Sequence, residues 1–236
     1  MRNVSKLNYA TAKGDIMENT QCFILCGGKG ERLRPLTDYC CKPMLKVQGK
    51  SILKWQFDHL LSLGFKKENI YFLAGYRAWD IQKEFDNVII EDTPLGTAGA
   101  IKNIEHLVTS ENFFVLYGDI ISFEDHRETL KFHKHNAAIA TIKHHLREVN
   151  SEIRVNRDNN IIDFVEHSKI KTNSDIYCFN KDIFDYIGNG FKDFPVNIFP
   201  ILPRYHFYSL PIENYRIAID SLQRLEQAEK DMLQYI

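Results

Sequence analysis

From residue 21 onward, short apolar runs alternate with segments whose apolar residues recur every three or four positions. Residues 21–28, QCFILCGG, predict a buried strand that ends in a glycine turn. Residues 51–65, SILKWQFDHLLSLGF, predict a helix. Ile52, Leu53, Trp55, Phe57, Leu60 and Leu61 share one face, Ser51 is an N-cap candidate and Gly64 the stop. NIYFLAG (69–75) reads as a strand, AWDIQKEF (78–85) as a short helix and NVIIED (87–92) as a third strand. TAGAIKNIEHLV (97–108) reads as a helix with Thr97 as a candidate cap, and NFFVLYGD (112–119) as a fourth, strongly apolar strand. Strand and helix thus alternate three times, which predicts a parallel-rich sheet covered on both faces.

The second half is less regular. Residues 137–145 (AAIATIKHH) and 151–156 (SEIRVN) predict separate strands. A turn is expected at Asn159-Asn160, followed by strands over 161–167 and 174–180. KDIFDYI (181–187) predicts a helix, HFYSLPI (206–212) and NYRIAID (214–220) strands, and SLQRLEQAEKDML (221–233) a closing helix. With no Pro/Gly/Ser-rich linker and no repeat, the expectation is a single-domain, Rossmann-like three-layer α/β/α sandwich over residues 21–236. Its central sheet should be mixed and mainly parallel, and residues 1–20 should form a flexible N-terminal arm.

Composition narrows the function classes. The 236-residue chain is 44% hydrophobic, enough for one sizeable core. Lys+Arg number 30 against 31 Asp+Glu, so no broad electrostatic footprint for nucleic acid or an anionic membrane is expected. No apolar run approaches the length that spans a bilayer, and residues 1–21 lack the apolar core of a signal peptide. The five cysteines, Cys22, Cys26, Cys40, Cys41 and Cys178, form no CxxC pair. They fit a reduced, cytoplasmic protein, with Cys22 and Cys26 as buried thiols.

Open α/β sheets bind ligands beyond the carboxyl ends of their strands. Three features fall there: the loop 27–32, the loop 92–99, and Asp119. Glycines permit dihedrals and close approaches closed to other residues, and their successive N–H groups can form a nest for phosphate oxygens. The loop is not a Walker motif, since GKS/T is absent, and the dinucleotide GxGxxG pattern fails at Leu33.

LCGGKGERLRPLT followed by KPML resembles the signature of the sugar-nucleotide pyrophosphorylase (nucleotidyltransferase) family. So do, in order, GFKKENIYFLAGY, EDTPLGTAGAI, FFVLYGDI, IIDFVEHSK and RIAIDSLQRLEQAE, together covering about residues 22 to 232. The resemblance implies transfer of a nucleotide from a nucleoside triphosphate to a phosphorylated small-molecule acceptor. An acceptor oxygen attacks the α-phosphorus in line and pyrophosphate leaves. Both reactants are anions, so such a site supplies positive charge and alignment. By the same resemblance, Leu25, Gly27, Gly28 and Gly30 form the nucleotide cradle. Arg32 holds the leaving phosphates, and Lys42 neutralises the α-phosphate and the attacking phosphate. Asp119 and Asp220 hold Mg²⁺, an ion that takes few protein oxygens and completes its octahedron with phosphate and water. Asp220 has a competing reading as the N-cap of the last helix.

The loop 91–99 is then expected to hold the base, with Gly96 admitting backbone groups to the base edge and Thr97 beside it. Glu91 stands where relatives that use uridine or thymidine nucleotides carry a glutamine. An ionised Glu only accepts hydrogen bonds, which suits guanine N1–H and N2–H₂ or cytosine N4–H₂ and leans toward GTP or CTP. The acceptor region departs from the family pattern. After Val165-Glu166, His167 and Ser168 replace a lysine and a proline, and Asp175 replaces a glycine. Glu166, His167 and Asp175 are the acceptor-site candidates. Seven-carbon sugar phosphates or, with CTP, a small non-sugar phosphate become credible acceptors. A catalytically reduced regulatory homologue is a third reading. The oligomeric state stays open, a homodimer being one arrangement. His133, His135, His144 and His145 lack the spacing of a metal site, and Phe113, Phe114, Tyr117 and Phe123 read as core.

Overall fold

The computed structural model describes residues 15–236. In chain order the helices are α1 (Asp15–Glu18), α2 (Leu36–Tyr39), α3 (Ile52–Ser62), α4 (Ala78–Gln82), α5 (Gly96–Asn103), α6 (His126–His135) and α7 (Leu222–Asp231). The strands are β1 (Gln21–Cys26), β2 (Lys46–Val47), β3 (Lys50–Ser51), β4 (Ile70–Ala74), β5 (Val88–Ile90), β6 (Asn112–Tyr117) and β7 (Ile120–Ser122). They continue with β8 (Ala140–Val155), β9 (Ile161–Asn180), β10 (Phe207–Pro211) and β11 (Arg216–Ala218).

Seven strands form the main sheet in the order β10-β8-β9-β6-β1-β4-β5. β6, β1, β4 and β5 are mutually parallel and β10 is parallel to β8, while β9 runs antiparallel to both its neighbours. The sheet is mixed and mainly parallel, as expected. Successive side chains of a strand point to opposite faces, and β1 shows what each face buries. Cys22 and Ile24 pack with Leu53, Phe57 and Leu60 of α3, Ile81 of α4 and Leu130 of α6. Phe23 packs with Ala98 and Ile101 of α5 and with Phe184, Phe194 and Ile198. These are the two outer layers. A third apolar cluster lies under α7, where Leu33, Ile52, Ile121, Ile217, Ile219 and Met232 meet. Cys22 and Cys26 are buried, and burial raises both thiols.

Local signals explain several boundaries. Ser51 caps α3 by accepting from Lys54 N at 3.1 Å. Gly64, at φ 98°, ends that helix. Asn159 turns the β8–β9 hairpin at φ 64°, while Asn156 Oδ1 accepts from the N–H groups of Asp158 and Asn160.

Four expectations need correction. Residues 15–20 are not an arm: Met17 is 1% exposed within the core and Asn69 donates to Glu18 O at 2.6 Å. Residues 1–14 lie outside the described residues. The two strand pairs expected over 137–156 and 161–180 are each one continuous strand, because β8 and β9 keep pairing far beyond the sheet as a ribbon. Residues 181–186 form a 3-10 turn and not an α-helix. Thr97 does not cap α5, since Leu95 precedes the helix and the Thr97 hydroxyl turns instead to residues 193 and 194.

Candidate active site

One cavity of about 630 Å³ opens at the carboxyl ends of β1 and β6. The glycine loop forms one wall, with Leu25, Gly27, Gly28 and Gly30 all lining it. Past Gly30 the chain makes a 3-10 turn whose Leu33 is fully buried, leaving Arg32 free to face out of that turn. Arg32 Nη1 lies 3.1 Å from Asp220 Oδ2, across the cavity rim. A second 3-10 turn, Lys42–Met44, carries Lys42 inward, where its side chain is 13% exposed and its Nζ is 2.5 Å from Asp119 Oδ2.

Asp119 is placed by its neighbour. Gly118 N donates to Leu25 O at 2.9 Å, and a Cβ on residue 118 would stand 2.8 Å from Cys26 Sγ. Only glycine lets β6 close on β1 there. Asp119 O accepts from Ile219 N at 2.8 Å, which fixes the backbone beside Asp220 to the backbone of Asp119. Asp220 does not cap α7; Ser221 does, accepting from Arg224 N at 3.3 Å. Asp119 Oδ1 is buried and without a partner.

The opposite wall is the expected base loop. Glu91 N donates to Ala74 O at 2.8 Å, which ends β5 beside β4 and turns the side chain toward the glycine loop. Glu91 Oε2 lies 3.4 Å from where a Cβ on Gly27 would stand. Burial pushes this carboxyl up to about 7. Gly96 lines the cavity and also meets the chain behind it. It sits at φ 74°, and a Cβ there would overlap the Lys192 carbonyl, which accepts from the N–H groups of Ala98 and Gly99. The glycine admits a neighbouring strand of backbone and seats the 188–193 loop on α5. Thr97 N and Oγ1 donate to Asp193 Oδ1 at 2.9 and 3.1 Å. That seating brings Phe191 and Asp193 to the cavity, where Phe191 stays 61% exposed.

The acceptor candidates separate. Asp175 does not line the cavity but lies close enough for the charges of Asp119 and Lys42 to act on it, and its Oδ2 accepts from Arg216 Nη2 at 2.8 Å. Burial outweighs the guanidinium and raises the carboxyl to about 6. Glu166 and His167 are exposed on the projecting ribbon, where Glu166 pairs with Ser151. They stand further along β9, in the part that pairs with β8 as a projecting ribbon, and neither lines the cavity. His133, His144 and His145 bond to Thr141, Ser209 and Ser174 hydroxyls.

Sequence reasoning missed Arg216, Asp193 and Phe191. For Arg216 a signal was present. In 216–220 the buried Ile217 and Ile219 alternate with Arg216, Ala218 and Asp220, so the arginine shares its strand face with Asp220. Asp193 lies 96 residues from its partner Thr97, and Phe191 sits in the same loop, beyond the reach of any local pattern.

The fold is an α/β sheet with a cavity at its carboxyl edge, where a glycine loop is ringed by paired cations and carboxylates. The pattern of the nucleotidyl transferase family matches residues 21–205, and the chain belongs to that family. It is 30% identical to D-glycero-alpha-D-manno-heptose 1-phosphate guanylyltransferase of Aneurinibacillus thermoaerophilus, over 92% of this chain and 100% of that one. It is 35% identical to the bifunctional protein GlmU of Methanocaldococcus jannaschii over 70% of this chain, and there spans only 41% of the relative's length. Among solved structures it is similar to HddC from Yersinia pseudotuberculosis complexed with GMP-PN. That likeness has a TM-score of 0.72 at 23% identity and covers 90% of this chain and 99% of the other. Among the described residues no helix is long and apolar enough to cross a membrane.

Proposed function

We propose that this nucleotidyltransferase moves GMP from GTP to a sugar 1-phosphate and releases pyrophosphate. The observation that carries the reading is the single cavity in which the glycine loop, Arg32, Lys42, Asp119, Asp220 and Glu91 all meet. The preference for GTP is supported by Glu91, a carboxylate at the cavity wall that accepts from guanine N1–H and N2–H₂. The guanylyltransferase relative that aligns with almost the whole chain supports it too. The same carboxylate accepts from cytosine N4–H₂, so CTP is the comparison that matters most.

In this reading the backbone of residues 27–30 holds the triphosphate. Lys42 neutralises the α-phosphate and the incoming acceptor phosphate, and Arg32 holds the departing pyrophosphate. An acceptor oxygen forms the new P–O bond as the α–β bridging bond breaks, and the electron pair leaves with pyrophosphate. Asp119 and Asp220 fit Mg²⁺: both offer hard carboxylate oxygens to one cavity, and Asp119 Oδ1 is a buried acceptor with no partner. When bound, the ion would neutralise phosphate charge between the two reactants. Retention of both cations and both carboxylates in one cavity supports an enzyme over a catalytically reduced homologue.

The test is pyrophosphate release from each of the four nucleoside triphosphates with a panel of hexose and heptose 1-phosphates. Turnover with GTP and a sugar 1-phosphate is the expected result. A clear preference for UTP or dTTP would refute the assignment of Glu91.

A further inference from the structure

Gln56 is a polar residue in an apolar stripe. On α3 it falls between Ile52 and Leu60 at helical spacing, both of them buried, and it is itself 3% exposed. A buried amide costs stability unless it is hydrogen-bonded. Here Nε2 donates to Tyr117 O at 3.0 Å and to Ile120 O at 2.6 Å. Tyr117 is the last residue of β6 and Ile120 the first of β7. One side-chain amide thus bridges the two carbonyls that bracket Gly118 and Asp119. Both partners are acceptors, which fixes the nitrogen on this side and turns Oε1 away. Oε1 is buried with no protein partner, and so is His126 Nδ1. Gln56 and His126 both border a second, small cavity of about 10 Å³, room for one water.

The bridge lies where the sheet stops supporting this segment. The β6–β9 ladder ends at the pair Leu116–Ile176. Past it, Gly118 N donates to Leu25 O and Asp119 O accepts from Ile219 N, one backbone bond to each side. Gln56 ties the two ends of the turn to each other and to α3. It does not line the cavity that holds Asp119 and Asp220, so it reaches that site only through the turn. We infer that Gln56 is a positioning residue for Asp119: by holding the carbonyls on either side, it sets where this carboxylate stands against Asp220, and so how tightly the pair holds a divalent ion. This rests on the metal reading given above.

The test is Gln56→Met in the full chain, which keeps the length of the side chain and removes both donors. Mn²⁺ binding, titrated by EPR without nucleotide, should weaken about tenfold. With GTP and a sugar 1-phosphate, kcat should fall about 10- to 100-fold, the effect of a misplacement of about 1 Å. KM for GTP should stay within about twofold, because the glycine loop and Glu91 have their own supports. Raising Mg²⁺ should recover part of the lost kcat. Gln56→Glu has the same shape but sets an acceptor against two carbonyls, and it should show the same split, so one folded variant is enough. In the Asp119→Asn background, Gln56→Met should lower kcat by less than about twofold further, since nothing is left to position. Unchanged Mn²⁺ affinity in a folded variant, or full additivity with Asp119→Asn, would overturn the inference alone. Failure of both variants to fold would overturn it too, making Gln56 a structural residue. Absence of Mn²⁺ binding by the wild type would sink the metal reading and this inference with it. Mn²⁺ binding without turnover of any nucleoside triphosphate and sugar phosphate would instead sink the transfer reading and leave the role of Gln56 to the titration.

Discussion

Lys42 Nζ lies 2.5 Å from Asp119 Oδ2, while the other oxygen of that carboxylate is buried without a partner. One side chain thus faces both a cation and an unfilled position. Asp119→Asn keeps the shape, removes the charge and leaves the lysine unbalanced. The expected outcome is a fall in kcat/KM of about 10²-fold or more. Chelation of divalent ions with EDTA should abolish turnover of the wild type, and excess Mg²⁺ should restore it. Full activity in either experiment would remove Asp119 from the metal assignment.

Glu91 should make GTP binding depend on pH. Burial places its carboxyl at about 7 in the free protein. Below that pH the group is protonated, and its O–H opposes the N–H donors of guanine; above it the group only accepts. KM for GTP should therefore fall as pH rises from 6 to 8, by about tenfold if this group alone governs binding. Glu91→Gln should flatten that dependence. The sign for stability runs the other way: a carboxyl raised on folding favours the folded state at low pH, and this contribution is lost as pH climbs through 7.

Arg32 and Asp220 separate activity from stability. Their contact spans 188 residues of sequence, yet the side chains are 76% and 39% exposed. Exposed ion pairs contribute little to folding, so Arg32→Ala should leave Tm within about 2 °C of wild type. The same substitution should lower kcat/KM by about 10²-fold, measured by pyrophosphate release.

Gly118 tests the opposite case. A methyl at this position meets Cys26 Sγ at 2.8 Å and Leu25 O at 3.0 Å, at the carboxyl end of β1. Gly118→Ala should cost about 1–3 kcal/mol and lower Tm by several degrees. Because it displaces Asp119, it should also reduce turnover beyond the loss of folded protein, as measured at a temperature where the variant is folded.

How much of this was legible in the sequence depended on whether each signal was local. β1 could be read because a strand buried on both faces must be apolar throughout. Ser51 could be read as a cap because its partner, Lys54 N, is three residues away. Thr97 looked like a cap for the same reason, but its partner is Asp193, 96 residues on, and that tertiary contact prevails. The ribbon of β8 and β9 was read as broken strands. Its outer half alternates ion pairs such as Arg154–Asp163 with exposed Ile153 and Phe164, a pattern that no buried face enforces. Glu166 and His167 were assigned to the acceptor on motif position, and the long β8–β9 pairing carries them onto the projecting ribbon. Asp175 was read from the family pattern, where it replaces a glycine, and it stands at φ 60°; its contact with Arg216, 41 residues on, needed the fold.

The β8–β9 ladder shifts register between the pairs Ile142–Tyr177 and His144–Asn173, and this bulge at Asp175 separates two lengths of chain that evolution and engineering can treat differently. Residues 176–180 are locked by pairing with β6 on one side and β8 on the other. Among the described residues, past His144 and Asn173 the two strands of the ribbon pair with each other. Matched residues can be added to or trimmed from its two strands without shifting the alignment of Ile176 against Leu116. The projecting half of the hairpin is thus a modular appendage whose reach is adjustable while the central sheet keeps its register.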